Sequence, residues 1–154
     1  MKEESNKFRL DFSSRADNVP IARVFVASVA ALEDITVGQL DEIKVAVSEA
    51  VSNAIIHGYD NDCSQTVTIE LELFRERLEI SVIDHGVGIA DIDLAMQPGY
   101  SGNGQRMGLG FAFMQSFSDS LQVESEPGQG VRVRMSKNLV AANSPLLGNI
   151  GNIG

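Results

Sequence analysis

The sequence predicts an α+β fold, a two-layer sandwich with helices on one face of a mixed, largely antiparallel sheet. Three observations carry this expectation. Segments of alternating apolar and polar residues come in pairs joined by short polar turns, the pattern of antiparallel hairpins. Only three segments show helical spacing, too few to cover both faces of a sheet. The elements run strand, helix, helix, hairpin, glycine-rich loop, helix, hairpin, with no repeat at the period of about 20–50 residues that marks a solenoid.

Residues 8–12, Phe-Arg-Leu-Asp-Phe, alternate and predict the first strand. Cap residues between Ser13 and Asp17, with Pro20 suited to a first helical turn, predict a helix over 18–33. Its apolar stripe is read as Ile21, Val24, Phe25, Val29 and Leu32. A second helix is expected from Val37 to His57, stopped by Gly58. At roughly 100° per residue, Leu40, Ile43, Val47, Val51 and Ala54 share one face, with Glu42, Ala46, Glu49, Asn53 and Ile56 opposite. Thr66–Phe74 and Leu78–Asp84 alternate about Arg75-Glu76-Arg77 and read as a hairpin. Glycine-rich sequence fills 86–110. A helix from about Gly108 to Ser118 is then expected to turn Leu109, Phe113 and Phe117 inward. Leu121–Glu126 and Val131–Met135 close the pattern as a second hairpin about Pro127-Gly128-Gln129-Gly130.

The chain has 154 residues, 44% hydrophobic and 21% charged, the size and balance of one domain with a single core. That domain is placed at 1–137. No charge follows Lys137, so 138–154 is set apart as an uncharged tail that either stays free or docks. No apolar run approaches the ~18 residues of a membrane span. The opening Met1-Lys2-Glu3-Glu4 has no apolar signal core, and a cytoplasmic location is expected. Lys and Arg total 12 against 21 Asp and Glu, a formal charge of -9. Such a surface repels bare nucleic acid and suits a partner with a basic patch, while leaving room for a local anion site. Cys63 is the only cysteine, which excludes an internal disulfide and a cysteine-rich zinc site. His57 and His85 are the only histidines. Any divalent metal is therefore expected to be oxygen-bound Mg²⁺.

Four constellations bear on chemistry. Glu49 and Asn53 lie four apart on a helix and so share a face. Asn53 could hold a hydrated Mg²⁺ and leave Glu49 as a base; the same spacing suits a plain solvated face. Asp84 continues the inward parity of Leu78, Ile80 and Val82. Its carboxylate then needs a donor, such as an amine on a planar ring. Equally, Asp-His-Gly is ordinary turn-capping chemistry. Gly86 and Gly88 permit close backbone approach to a flat ligand, or simply form a loop. The run from Gly102 to Gly110 leads straight into a helix N-terminus. Free N–H groups there favour phosphates, and Arg106 could add a charge. Neither a Walker loop nor a dinucleotide fingerprint is present.

Acid–amide helix, strand-ending Asp-x-Gly-x-Gly and glycine-rich lid together describe one nucleotide pocket. In this order they resemble the GHKL family of ATP-binding proteins, which includes gyrase B, MutL and histidine kinases. Ser48-Glu49-Ala50-Val51-Ser52-Asn53-Ala54-Ile55-Ile56-His57-Gly58-Tyr59 resembles the N box, Asp84-His85-Gly86-Val87-Gly88-Ile89 the G1 box, and Met107-Gly108-Leu109-Gly110-Phe111 the G2 box. The likeness spans about residues 8–136. It is strongest to the compact bacterial anti-sigma serine kinases, above all the branch that acts in sporulation. Residues 55–62 and Ile21-Ala22-Arg23-Val24 carry that part.

The resemblance implies the Bergerat fold and an ATP or ADP ligand with Mg²⁺. It implies Asp84 on the adenine amine, Asn53 on the metal and Glu49 as base for an incoming serine hydroxyl. It implies a homodimer that sequesters a sigma factor, with Arg23 at that contact. An anti-anti-sigma protein would displace the sigma factor and be phosphorylated on serine, with Arg106 near the phosphates and the partner. One departure is plain. The subgroup carries a Thr-Thr-Lys-Pro run after Gln-Pro, whereas Gln97-Pro98-Gly99-Tyr100-Ser101-Gly102 has no lysine. Phosphoryl transfer depends on charge neutralisation more than binding does. A nucleotide-dependent anti-sigma binding module with little kinase activity is therefore the second expectation. A stress-response anti-sigma kinase is the third.

Overall fold

The computed structural model describes residues 2–97 and 107–141. Five strands form one sheet in the order β1-β2-β3-β5-β4, with β1 Asn6–Ser13, β2 Thr66–Phe74, β3 Arg77–Asp84, β4 Ser120–Ser125 and β5 Val131–Asn138. All four pairings are antiparallel, so the sheet expected to be largely antiparallel is wholly so among the described strands. Period two puts Val67, Ile69, Leu71 and Leu73 of β2 and Leu78, Ile80 and Val82 of β3 on the inner face, all buried. Val133 and Met135 of β5 complete that layer.

The helices α1 Val19–Ala30, α2 Val37–Asn53 and α4 Met107–Ser116 supply the second layer, with a short α3 at Ile92–Ala95. Pro20 sits in the first turn of α1 as expected, and the Thr36 side chain caps α2 by accepting from the Gln39 N–H at 3.1 Å. α2 packs between α1 and α4. That sandwiching buries Ile43, Val47 and Val51 as expected. It also buries Ala46, which the spacing had placed on the polar side. Past Asn53 the predicted helix continues to Gly58, but as a π-helix over Ala54–Gly58. The Tyr59 N–H reaches back to the Ala54 carbonyl at 3.0 Å. A π turn inside a helix often marks a functional site.

Two predicted faces are corrected. Val29 is buried as expected, but the other buried residues of α1 are Ala22, Val26, Ala27 and Ala30, while Ile21, Val24 and the following Leu32 are 60%, 61% and 62% exposed. This helix carries two apolar stripes at equally good spacing. The smaller-residue stripe faces inward because alanines allow α1 close to α2. On α4 the inward residues are Phe111 and Met114, beside Gly108 and Gly110. Leu109 and Phe113 are each 38% exposed, and Phe113 stacks on the half-buried Phe117 with ring centroids 6.2 Å apart. Helix α3, capped by Asp91 accepting from Leu94 N–H at 3.0 Å, was not anticipated, being a single turn inside a glycine-rich stretch.

The chain leaves the sheet firmly held. The Lys137 ammonium pairs with Glu42 of α2, and the Leu139 side chain is buried. Leu139 N–H donates to Glu76 O at 2.8 Å, Val140 N–H to the Gln39 side chain at 3.1 Å, and Ala141 bridges to Ile35. The start of the uncharged tail thus docks on the domain through residue 141; residues 142–154 lie outside the described residues. Among the described residues no helix is long and apolar enough to cross a membrane.

Candidate functional site

The C-terminal half of α2, its π turn and the end of β3 converge on Asp84. Period two carries this residue to the inner face as its strand ends, and it is only 5% exposed. Its Oδ1 accepts from the Gly86 N–H at 2.9 Å. The turn-cap reading of this aspartate is seen directly, and its carboxylate is buried on the inner face as its parity predicts. Burial raises the carboxyl above its ordinary range, against the pull of the Gly86 and Val131 amides and of His85.

A cavity opens on this carboxylate. Asn53, Ala54, His57 and Gly58 line it from α2 and its π turn, Val82, Val131 and Val133 from the sheet, Gly88 and Ile89 from the loop, and Met107 and Phe111 from α4. Among the described residues Asp84 is the one acidic group in that lining, with Asn53 and His57 its other polar side chains. A largely apolar slot with a buried carboxylate suits a hydrophobic ring that bears a donor.

The glycines expected at the site are held at contact distance. A Cβ on Gly86 would lie 1.9 Å from Gly58 O, and one on Gly88, which has φ +75°, would lie 2.2 Å from Glu126 O. Gly108 backs onto Gln97 O, where a Cβ would come within 1.9 Å. Gly110 lies against the acid–amide pair: a Cβ there would stand 3.0 Å from Glu49 Oε2 and 3.2 Å from Asn53 Nδ2. The first turn of α4 therefore brings Gly110 onto the N-box-like residues, while Gly108 packs on the backbone of Gln97.

Glu49 is partly buried, and desolvation raises its carboxyl. Among the described residues the buried Asn53 Nδ2 has no hydrogen-bond partner, a donor that costs free energy unless an acceptor meets this end of the pocket. Among the described residues no group of three or more His, Cys, Asp or Glu side chains could cage a metal. One amide beside one carboxylate fits Mg²⁺, which keeps several waters and takes further oxygens from substrate phosphates. The residues present thus fit that ion.

Arg23 lies on α1, half-buried between exposed Ile21 and Val24, and does not line the cavity. Cys63 is exposed and apart from it. Arg106 and the glycines from 99 to 104 lie outside the described residues. Sequence reasoning missed several contributors. Gly58, read as a helix stop at the end of the N-box-like run, backs the Asp84 carboxylate, with its would-be Cβ 2.8 Å from Oδ1. The Tyr59 hydroxyl holds the His85 N–H at 2.7 Å. Ser125 Oγ accepts from the Ile89 N–H at 2.8 Å and donates to Gly130 O at 2.7 Å, stapling the loop to the last hairpin. Nothing periodic in the sequence signals these contacts.

Comparison with known proteins agrees with this geometry. Residues 12–137 match the histidine kinase-like ATPase domain family. The chain is 42% identical over 134 residues to the anti-sigma F factor of Clostridium beijerinckii, covering 86% of this chain and 94% of that one. It is 46% identical over 137 residues to the anti-sigma F factor of Thermoanaerobacter sp. strain X514, covering 88% and 95%. Among solved structures, the RsbU and RsbW domains of Rv1364c from Mycobacterium tuberculosis superpose with a TM-score of 0.62 at 17% identity, over 87% of this chain and 32% of that one. The histidine kinase domain of a blue-light activated histidine kinase from Erythrobacter litoralis gives a TM-score of 0.54 at 19% identity, over 80% and 60%. Those two likenesses speak to the fold.

Proposed function

The chain belongs to the histidine kinase-like ATPase domain family and, within it, to the anti-sigma F factors, and on that premise we propose that it is an ATP-dependent anti-sigma factor and serine kinase. In this reading it works in the cytoplasm as a homodimer. It sequesters a sporulation sigma factor and phosphorylates a serine of an anti-anti-sigma partner. One observation carries the nucleotide part: a desolvated carboxylate, held by the Gly86 N–H, in a largely apolar cavity.

ATP with Mg²⁺ supplies the transferable phosphoryl group and neutralises its charge when bound. Asp84 accepts from the adenine amine, and Gly86 and Gly88 keep the backbone close to the ring. The Asn53 amide oxygen is the metal ligand. Glu49, whose proton affinity burial has raised, orients the serine hydroxyl and takes its proton. Gly110 brings α4 against that pair, Gly108 lets the start of α4 close on the nucleotide, and Arg106 serves the phosphates and the partner. Arg23, flanked by exposed Ile21 and Val24, meets the sigma factor.

Labelled ATP tests the proposal when mixed with the protein and an anti-anti-sigma partner. Label on a partner serine is expected, with Glu49→Gln retaining nucleotide binding and losing transfer. Saturable binding with no labelled serine would overturn the kinase assignment. It would leave the nucleotide-dependent binding module, the reading that the missing lid lysine favours.

A further inference from the structure

The β2–β3 ladder stops short of where its register points. Its last pair is Thr68 with Ile83, and continuing two residues brings Thr66 opposite His85. A direct bond from the His85 N–H to the Thr66 carbonyl would be the next rung. The phenol of Tyr59 takes that place. Its hydroxyl accepts from His85 N–H at 2.7 Å and donates to Thr66 O at 2.6 Å. Tyr59 is only 8% exposed, and it arrives there because the π turn ends with its own N–H on Ala54 O.

We propose that Tyr59 is a positioning residue for adenine selectivity, its hydroxyl holding the His85 peptide and so the direction in which Asp84 presents its free oxygen. The neighbours leave Asp84 few alternatives. Gly86 N–H holds Oδ1 at 2.9 Å, and the Gly58 backbone, adjacent to Tyr59, closes off the carboxylate from behind. Gly58 O in turn accepts from Val87 N–H at 3.0 Å. On the β5 side the Asp84–His85 peptide is set by the pairing of Asp84 with Val131 and by Gly130, and on the β2 side the phenol holds it. Burial and the Asp84 charge both raise the phenol against deprotonation, so it stays a donor to Thr66.

This inference rests on the reading of Asp84 as the adenine acceptor, and the test separates the two. ATP and inosine triphosphate, which lacks the amine, are titrated by calorimetry into wild-type protein and Tyr59→Phe, alongside a thermal melt. Wild type should prefer ATP. The variant leaves the His85 N–H and the Thr66 carbonyl without their bridge, so its melting temperature should fall somewhat while its ATP preference falls about fivefold, the worth of one misplaced hydrogen bond. An unchanged preference in the variant, with wild type still selective, overturns the role of Tyr59 and spares that of Asp84. No preference in wild type sinks both. Should the variant fail to fold, amide exchange in nucleotide-free wild type decides. The His85 N–H should exchange slowly, as a proton held on a buried phenol; exchange at open-loop rates overturns the proposal.

Discussion

Replacing Asp84 with asparagine separates the cost of this residue to the fold from its use to the site. Asparagine keeps the shape, and its carbonyl can still accept from Gly86 N–H, now at 2.9 Å from Oδ1. What changes is the second position, where a charged acceptor becomes an NH₂ donor facing the ligand amine. A hydrogen bond to a charged acceptor is worth about 1.5–3 kcal/mol, so ATP affinity should fall roughly 10- to 150-fold. Stability should move the other way. The wild-type carboxyl is raised in the fold by burial, so the native state holds its proton more tightly than the unfolded chain. The sign follows from linkage: wild-type stability falls as pH rises from the ordinary carboxyl range through the raised folded value. The asparagine variant lacks that slope and should melt at the same temperature or higher at pH 7. Calorimetry with ATP and thermal melts at acid and neutral pH read both effects. An ATP affinity within twofold of wild type, in a folded variant, would refute the reasoning.

Two further perturbations probe the other walls of the pocket. Gly110→Ala places a methyl 3.0 Å from Glu49 Oε2; a gain of about 0.5–1 kcal/mol in helix propensity should offset the crowding, leaving the melt nearly unchanged while Mg²⁺-dependent nucleotide binding weakens, and full metal-dependent binding would show that Glu49 and Asn53 do not act at that spot. His57 is held below its ordinary titration range by burial, so the unfolded chain binds its proton first and stability should decline as pH falls below about 6.5; His57→Gln should flatten that part of the curve, and an identical slope in both proteins would assign it to other groups.

Legibility in the sequence followed the kind of interaction. Alternation in 66–84 and 121–135 placed both hairpins because each strand has one buried face, and period two leaves a single choice. Asp84 was legible for the same reason, since parity carried its side chain inward. Helix faces were less so. Where almost every residue is apolar, as along α1, periodicity fits two stripes, and only packing against α2 selects Ala22, Val26 and Ala30 over Ile21 and Val24. In α4 the decision came from Gly108 and Gly110, whose value is the approach they permit rather than a hydrophobicity. The contacts of Tyr59 and Ser125 were invisible because they join segments 26 and 36 residues apart through single hydroxyls.

Residue 84 is gripped by main chain. Gly58, Gly86 and Gly130 press together around it from three distant stretches of sequence, and a methyl on Gly130 would stand 2.0 Å from the carbonyl of Asp84 itself. Side-chain packing can drift over evolutionary time, because a loss at one position is repaired by a gain next door. A clasp made of bare backbone has no such neighbour to adjust. Inherited variation at these three glycines should therefore be scarcer than in the surrounding core, and lineages that abandon nucleotide recognition should show its loss there early.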